Sequence, residues 1–297
     1  MKLFLKKTFY FLSIPLCLLC ISFIYFDLFS NYVLKHFTND NDIQYLIAGD
    51  SHIRQTFNDK NIYHCKNIAQ NSESYYFTYF KLKKILTNKN DIKIVFLGLS
   101  YHNFSGYIDD FIFGKYSGAI SKNYFFILPI KEQIHLFINN ANESINFFKG
   151  IFSMSIKNCF SHEKSFIGAY NNVFVNSKSN IKSIDKRIKS QYFTKENKIY
   201  KTSEFNLKYL YKIIELCKRK NVKLIFLNPP LEESYFEKIP AVYQKYYNSF
   251  IDKNNIQVWE FQNIKLDSSC FIPDGDHVSA KGAEICTNAL NDYISKR

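Results

Sequence analysis

Five short apolar segments, separated by stretches with helical spacing, constrain the fold of this chain more than any other feature. They are rich in Ile, Val, Leu and aromatic residues, which is typical of strands in a parallel sheet covered on both faces. We predict strands at residues 43–48, 62–69, 92–97, 222–227 and 256–261. The 297 residues are enough for one such domain with appendages. The pattern therefore predicts an α/β domain with helices packed on a parallel sheet.

Two helices can be placed beside these strands. Ser203 can cap a helix whose apolar face recurs at residues 207, 210, 214 and 217 and which leads into the fourth predicted strand. A C-terminal helix follows the last strand, with apolar residues at 283, 286, 290 and 293. Strands and helices thus alternate, as parallel pairing requires.

The first predicted strand ends in Gly49, Asp50, Ser51 and His52. Ligands of parallel sheets gather beyond the carboxyl ends of the strands, and Gly49 permits a sharp exit there. Ser51 is therefore a candidate nucleophile. A serine hydroxyl is weak without a base in hydrogen-bond reach and a third group that orients the base.

The sequence DGDHVSAKGAE, at residues 274–284, precedes the C-terminal helix and supplies both missing groups. His277 could accept the Ser51 proton while a carboxylate binds its other ring nitrogen. We choose Asp274 for that carboxylate, although Asp276 is adjacent and spacing alone does not separate the two. His52 and Arg54 could line the pocket or have ordinary surface roles.

The N-terminus carries Lys2, Lys6 and Lys7, followed by an uncharged stretch of 19 residues at 8–26. This stretch is long enough to cross a hydrocarbon core of roughly 30 Å as a helix. The flanking charges predict a cytoplasmic N-terminus and an exported domain. A cleaved signal peptide is the alternative, but no small-x-small cleavage site follows. We predict an anchor at 1–35 and the α/β domain at 36–297.

More than 100 residues separate the third and fourth predicted strands, with an insertion at about 104–202. Residues 107–156 are aromatic and helix-like, whereas 176–201 contain eight Lys or Arg against two acids. Long insertions in α/β enzymes commonly form lids or binding surfaces. A helical cap with a solvated basic loop is the plainer alternative.

Charge and ligand patterns exclude several functions. The formal charge of +13 accompanies heavy use of Lys, Asn and Ile, which nucleotide bias can produce, so we expect no nucleic-acid partner. A basic face can still attract anionic polymers. The five cysteines outside the predicted anchor form no CxxC pair, and the sequence contains no HxxH or HExxH pattern, so we expect no metal site and no cofactor.

The GDS sequence at the first strand end, together with DxxH before the C-terminal helix, resembles the SGNH (GDSL-type) hydrolase superfamily. The sequences NIAQNSESYYFTYFKLK and DGDHVSAKGAE are similar to the membrane-anchored or exported bacterial members that modify surface polysaccharides. The resemblance implies a three-layer α/β sandwich with a five-stranded parallel sheet of flavodoxin-like (SGNH) type. It also implies a triad of Ser51, Asp274 and His277.

Two further blocks of the superfamily match less well. The second supplies an oxyanion-binding glycine, and here Ala69 or Ser72 stands in its place, with Asn71 beside it. The third, GxND, begins at Gly98, but its asparagine position is Ser100. His102 and Asn103 are the nearest substitutes. Asn71 or Asn103 could supply the missing hydrogen-bond donor of the oxyanion hole. Loss of one such donor lowers the rate roughly 10²–10³-fold.

The resemblance implies a membrane-anchored, extracytoplasmic serine esterase or O-acyltransferase. Its expected substrate is an O-acyl ester, such as O-acetyl, on a cell-surface glycan, and its intermediate an acyl-serine. The alternative is a non-catalytic binding or assembly protein of the same fold, with a partner protein in envelope polysaccharide biogenesis. A third hypothesis is a cytoplasmic enzyme with a misread N-terminal helix.

Overall fold

A computed structural model describes residues 1–40, 42–161, 166–175 and 177–296 of the chain. Its strands are β1 (Tyr45–Ala48), β2 (Cys65–Asn67), β3 (Ile94–Gly98), β4 (Lys223–Asn228) and β5 (Val258–Glu260). Its α-helices are α1 (Lys2–Thr38), α2 (Ser51–Thr56), α3 (Tyr75–Asn88), α4 (Ser117–Ser121), α5 (Ile130–Asn139), α6 (Ser144–Ser161), α7 (Ile181–Tyr192), α8 (Glu204–Arg219), α9 (Glu233–Phe236), α10 (Ala241–Asn254) and α11 (Ala280–Ser295).

The five strands form one parallel sheet in the order β2-β1-β3-β4-β5. This is the flavodoxin-like order, in which the chain changes winding direction between β1 and β3. All five predicted strands are confirmed, and four of the five are shorter than predicted because the outer residues of the apolar runs lack ladder partners. The predicted α/β fold class is therefore confirmed.

Two apolar layers cover the two faces of the sheet. Leu46 and Val95 belong to a large cluster formed with α3, α8 and α10, whereas Ile47 and Phe96 face a smaller cluster with α2 and α11. Successive strand residues point to opposite faces, so both faces are apolar and the strands appear as continuous apolar runs. The three-layer arrangement is confirmed.

Helix α1 is longer than the predicted anchor. Its 37 residues correspond to about 55 Å, and the helix is long and apolar enough to cross a membrane. The helix continues to Thr38, because Phe29, Val33 and Phe37 carry a helical apolar face onto the domain. The predicted boundary after residue 35 thus falls inside a helix.

The long insertion contains α4 to α7 and several short 3₁₀ segments. Helix α6 packs on α1 and α4, whereas α7 packs on α9 and on the 3₁₀ segment Gly106–Phe111. Residues 162–165 and 176 of the predicted insertion lie outside the described residues. The insertion therefore has two parts, one beside α1 and one at the carboxyl edge of the sheet.

Candidate active site

Ser51 lies at the carboxyl end of β1, in the first turn of α2. Gly49 makes the turn with φ +147°, and an added Cβ would lie 2.8 Å from Ile53 Cγ1. A side chain at position 49 would therefore be strained and would clash. Asp50 caps α2 by accepting the His52 backbone N–H at 3.0 Å. Together these residues hold Ser51 at the sheet edge, partly exposed.

The structure brings Ser51, His277 and Asp274 together. Ser51 Oγ lies 2.8 Å from His277 Nε2, and His277 Nδ1 lies 2.9 Å from Asp274 Oδ2. A carboxylate at Nδ1 favours the tautomer with the proton on that nitrogen, which leaves Nε2 free to accept the serine proton. The three predicted residues thus have the relative positions of a nucleophile, a base and an orienting acid.

The structure also separates the two adjacent acids. Asp274 Oδ1 accepts the backbone N–H groups of Asp276 and His277 at 3.1 Å each, so a tight turn fixes its carboxylate beside the imidazole. Asp276 instead turns away from His277 Nδ1 and contacts His52. Asp274 is therefore the orienting group.

His277 is protonated less readily than an ordinary histidine. Burial lowers its pKa, and the positive charge of nearby His52 lowers it further, although Asp274 opposes both effects. A base must be unprotonated to accept a proton, so this environment favours the form of His277 that can act as a base.

His52 lines the cavity, as one of the two alternatives from the sequence had it, and its contacts go beyond what the sequence indicated. Its ring stacks between those of His102 and His277, with centroid separations of 4.1 and 4.3 Å. Its Nδ1 lies 3.1 Å from Asp50 Oδ1, and its Nε2 is in ionic contact with Asp276 at 2.7 Å without the alignment of a hydrogen bond. The sequence contained one signal for these contacts: DGDH has a second acid, Asp276, that a Ser-His-Asp triad does not use.

The charge state of this stack follows from its neighbours. Burial alone would lower the pKa of His52, but Asp276 and Asp50 more than offset burial and raise the pKa to about 10. Burial raises the pKa of the Asp50 and Asp276 carboxyls, yet the charge of His52, joined at Asp276 by that of Arg187, holds both pKa values well below their usual range. His52 is therefore a buried imidazolium between two carboxylates.

Asp276 and His102 connect the stack to the insertion and to β3. Asp276 Oδ2 accepts hydrogen bonds from Arg187 Nε at 2.6 Å and Gln191 Nε2 at 2.9 Å, both on α7. His102 Nε2 lies 2.6 Å from Asp50 Oδ2, and burial together with the charge of His52 lowers the pKa of His102. His102 is therefore the neutral member of the stack on that side.

The four oxyanion candidates separate into two pairs. Asn71 and Ser72 line the cavity that contains Ser51, and Ser72 has φ +58°, the left-handed conformation that glycine favours. Ser100 and Asn103 are buried and are not among the residues that line this cavity. The Asn103 side-chain amide donates to Asp50 Oδ2 at 3.1 Å, so Asn71 and Ser72 are the two oxyanion candidates that the structure places at the cavity.

A buried ion pair stabilises the loop that contains Asn71 and Ser72. Glu73 and Lys81 are 2.5 Å apart and fully buried, and Thr78 also donates to Glu73, at 2.8 Å. Lys81 donates in addition to the Ile68 carbonyl at 2.5 Å, which connects this pair to the chain just beyond β2. The loop is therefore fixed by charge-assisted hydrogen bonds.

The cavity at Ser51 has a volume of about 220 Å³ and a mainly polar lining. Two groups in it contain ligand types that bind metals: Asp50 with His52 and His102, and His52 with Asp276 and His277. In both groups the acids already contact imidazoles at hydrogen-bond or ion-pair distance. As arranged, the acids and the imidazoles pair with one another as ions, and Ser51 Oγ is the hydroxyl beside them that faces the cavity.

A family model described as a protein of unknown function, DUF1574, matches residues 83–297. The matched range contains Asp274 and His277 and begins after Ser51. No curated protein has a matching sequence.

Three solved structures are similar to this chain at low identity. A structure described as a platelet activating factor from Streptococcus pneumoniae is 12% identical with a TM-score of 0.42, over 89% of this chain and 92% of that one. An acylhydrolase structure from Bacteroides fragilis is 10% identical with a TM-score of 0.38, over 88% and 95%. A GDSL-like lipase from Bacteroides thetaiotaomicron is 11% identical with a TM-score of 0.39, over 90% and 98%.

Proposed function

The chain belongs to the DUF1574 family, whose function is unknown, and we propose that it is a serine-dependent ester hydrolase or O-acyltransferase. The observation that carries the proposal is the continuous contact from Ser51 Oγ through His277 to Asp274. It lies at the carboxyl edge of a parallel sheet, where such folds bind ligands.

The proposed reaction has two half-reactions. Ser51 Oγ attacks the acyl carbonyl carbon while His277 Nε2 takes the hydroxyl proton, and the oxyanion collapses to release the alcohol, which receives that proton. Water or a sugar hydroxyl then attacks the acyl-serine, its proton passes to His277, and Ser51 is regenerated. Water gives a deacylase, and a sugar hydroxyl gives an O-acyltransferase.

We infer that the substrate is an O-acyl group, in particular O-acetyl, on a cell-surface glycan. A polar cavity of about 220 Å³ suits a short acyl chain better than a fatty acid. Lys2, Lys6 and Lys7 precede the apolar part of α1, so the positive-inside rule favours a cytoplasmic N-terminus and an extracytoplasmic domain.

One observation favours a second candidate function, a non-catalytic binding or assembly protein of the envelope. The Asn103 amide donates to Asp50, and Asn103 is not among the residues that line the cavity at Ser51, which favours a site without the side-chain donor of the third block. In that case the cavity would hold an acylated glycan without turnover.

Covalent labelling of the detergent-solubilised full chain by a fluorophosphonate probe tests the proposal. We expect one adduct, located on Ser51 by peptide mass spectrometry, and release of acetate from 4-nitrophenyl acetate. Added oligosaccharide acceptors that become acetylated would identify the transferase. A folded chain that neither labels nor releases acetate would contradict the enzymatic proposal and favour the binding protein.

A further inference from the structure

An open groove of about 500 Å³ lies beside the catalytic cavity, between α7 with the segment after it and residues 107–116. Four lysines are among the described residues that line this groove, against one acid, Asp110. These lysines are Lys115, Lys186, Lys189 and Lys195. All four are exposed, so their ammonium groups face the solvent of the groove. We call this feature the basic groove.

The basic groove is continuous with the catalytic cavity. Tyr107 lines both, and the catalytic cavity is lined beside it by Arg187, which in turn donates to Asp276. Helix α7 forms a wall of each, because Arg187 faces the catalytic cavity while Lys186 and Lys189 face the groove. A polymer lying in the groove would therefore pass Tyr107 as it reaches Ser51.

We propose that the basic groove binds a negatively charged segment of the glycan whose acyl ester enters the cavity. Lysine ammonium groups on flexible stems suit carboxylate, sulfate or phosphate groups distributed along a chain. Tyr116 and Tyr200 add aromatic rings, and Lys115 Nζ lies 4.6 Å from the centroid of the Tyr116 ring. This inference rests on the proposed function and specifies its substrate as an anionic glycan.

Anisotropy of a fluorescein-labelled hexagalacturonate with the solubilised full chain tests the groove. In the triple variant Lys186→Gln, Lys189→Gln and Lys195→Gln, we expect affinity to fall about tenfold or more, because several weak exposed ion pairs act together. Wild-type binding should weaken as salt rises, since exposed charges are screened. Neutral maltohexaose should bind weakly to both.

The matched control removes three exposed lysines at the opposite edge of the sheet, Lys218→Gln, Lys220→Gln and Lys223→Gln. Equal loss in both triple variants, or unchanged affinity in the groove variant, would overturn the proposal. Hydrolysis of 4-nitrophenyl acetate should stay within about twofold of wild type in the groove variant, because this ester needs no glycan contact. If neither wild type nor the two triple variants hydrolyse 4-nitrophenyl acetate, this counts against the proposed function. The anisotropy result then still decides whether the basic groove binds an anionic glycan.

A different observation concerns the other part of the insertion. Ile130, Ile134 and Ile138 recur every four residues on α5 and are 53–73% exposed. On α6 a second stripe is 42–67% exposed, and it consists of Ile145, Phe152 and Ile156. Residues at these spacings share one helix face, so α5 and α6 each present an uncovered apolar stripe. We call the two stripes together the apolar face.

Helix α6, which carries one of the two stripes, packs against the membrane-spanning candidate α1. Phe23 and Phe26 of α1 contact Phe126, with ring centroids 5.4 Å apart in each pair, and Phe23 also contacts Phe147 of α6. Before this contact, most apolar side chains of α1 are exposed. Helix α6 thus packs on α1 directly after the mostly exposed apolar part of α1, which ends near Phe23.

We infer that the apolar face lies in the lipid interface of the same bilayer that α1 crosses. Helices with such stripes bury them at the boundary between headgroups and acyl chains, and exposed Lys131 and Lys149 beside them can meet anionic headgroups. The occupant of this face is therefore lipid, and the catalytic domain is held against the membrane at two places.

Fluorescence quenching in nanodiscs tests this inference. The chain has one tryptophan, so Ile134→Trp in a Trp259→Phe background reports on a single site. In dibrominated phosphatidylcholine–phosphatidylglycerol discs we expect it to lose about half of its emission, because interfacial helices bury their apolar face about 5–10 Å deep. Val242→Trp, an exposed site on α10, should be quenched little. Equal quenching at both sites would overturn the inference. So would emission at position 134 that changes with protein concentration but is not quenched by brominated lipid.

Discussion

Replacing Ser51 by alanine is expected to abolish fluorophosphonate labelling and to reduce kcat/KM for ester cleavage by about 10⁴-fold or more. The substitution removes the only atom that can form the acyl bond in the proposed reaction and leaves His277 and Asp274 in place. His277→Ala should cost a similar factor, because the serine would lose its base. Asp274→Asn is expected to cost about 10⁴-fold, since the amide no longer selects the tautomer.

Ser249→Ala is the matched control, because Ser249 is an exposed serine of α10. It should label and turn over as wild type does. Retention of labelling by Ser51→Ala, with unchanged circular dichroism and melting temperature, would disprove the assignment of Ser51 as nucleophile. Equal activity of Asp274→Asn and wild type would mean that Asp274 does not orient His277, and Asp276 would then be the candidate for that role.

Replacing His52 by phenylalanine is expected to lower the free energy of unfolding by about 3–5 kcal/mol. The change leaves Asp50 and Asp276 buried without the imidazolium between them, and breaking a buried ion pair by removing one partner strongly destabilises a protein. Arg54→Gln removes a neighbouring cation that is partly exposed, and should cost about 1 kcal/mol or less. Chemical denaturation of the solubilised chains measures both.

The pH dependence of stability provides a second test of His52. Its pKa rises from 6.5 in the unfolded chain to about 10 in the folded protein, so between these values the folded state holds a proton that the unfolded state lacks. Stability from this group is therefore complete below pH 6.5 and is lost as pH rises toward 10, by up to about 1.4 kcal/mol per unit. The milder variant His52→Gln should show a flatter profile over this window, and an identical slope would contradict the assigned charge.

The same variant separates a positioning role from a purely structural one. The positive charge of His52 lowers the pKa of His277, so His52→Gln should raise that pKa and move the acid limb of the kcat/KM profile to higher pH. A loss of activity with an unmoved acid limb would mean that His52 only supports the fold.

The strands and the triad could be predicted from the sequence because their signals are local. A buried parallel strand has to be apolar along its whole length, and DGDH places Asp274 three residues before His277 whatever the rest of the chain does. The sheet edge then brings Ser51 to them, since ligand sites of this fold class lie at strand ends. The resemblance to SGNH hydrolases added the order of the blocks.

The stacked histidines could not be predicted in the same way. His52 depends on Asp276 more than 200 residues away, and that contact in turn depends on how α7 of the insertion places Arg187. Likewise, the predicted anchor ended at residue 35, although the helical spacing of Phe26, Phe29, Val33 and Phe37 indicated that α1 continues. Charge pairing between residues distant in sequence determines the position of His52, and packing on the domain determines where α1 ends.

The unbroken helix α1 has a mechanical consequence. Of its length of about 55 Å, a bilayer core would take about 30 Å, and the remainder packs against α3 and α6. Because α1 packs on the domain, a rigid helix sets the distance between the bilayer and Ser51. Under the proposed function, glycan strands have to reach the site at that distance, and inserting a flexible stretch after residue 22 would change which of them Ser51 can reach.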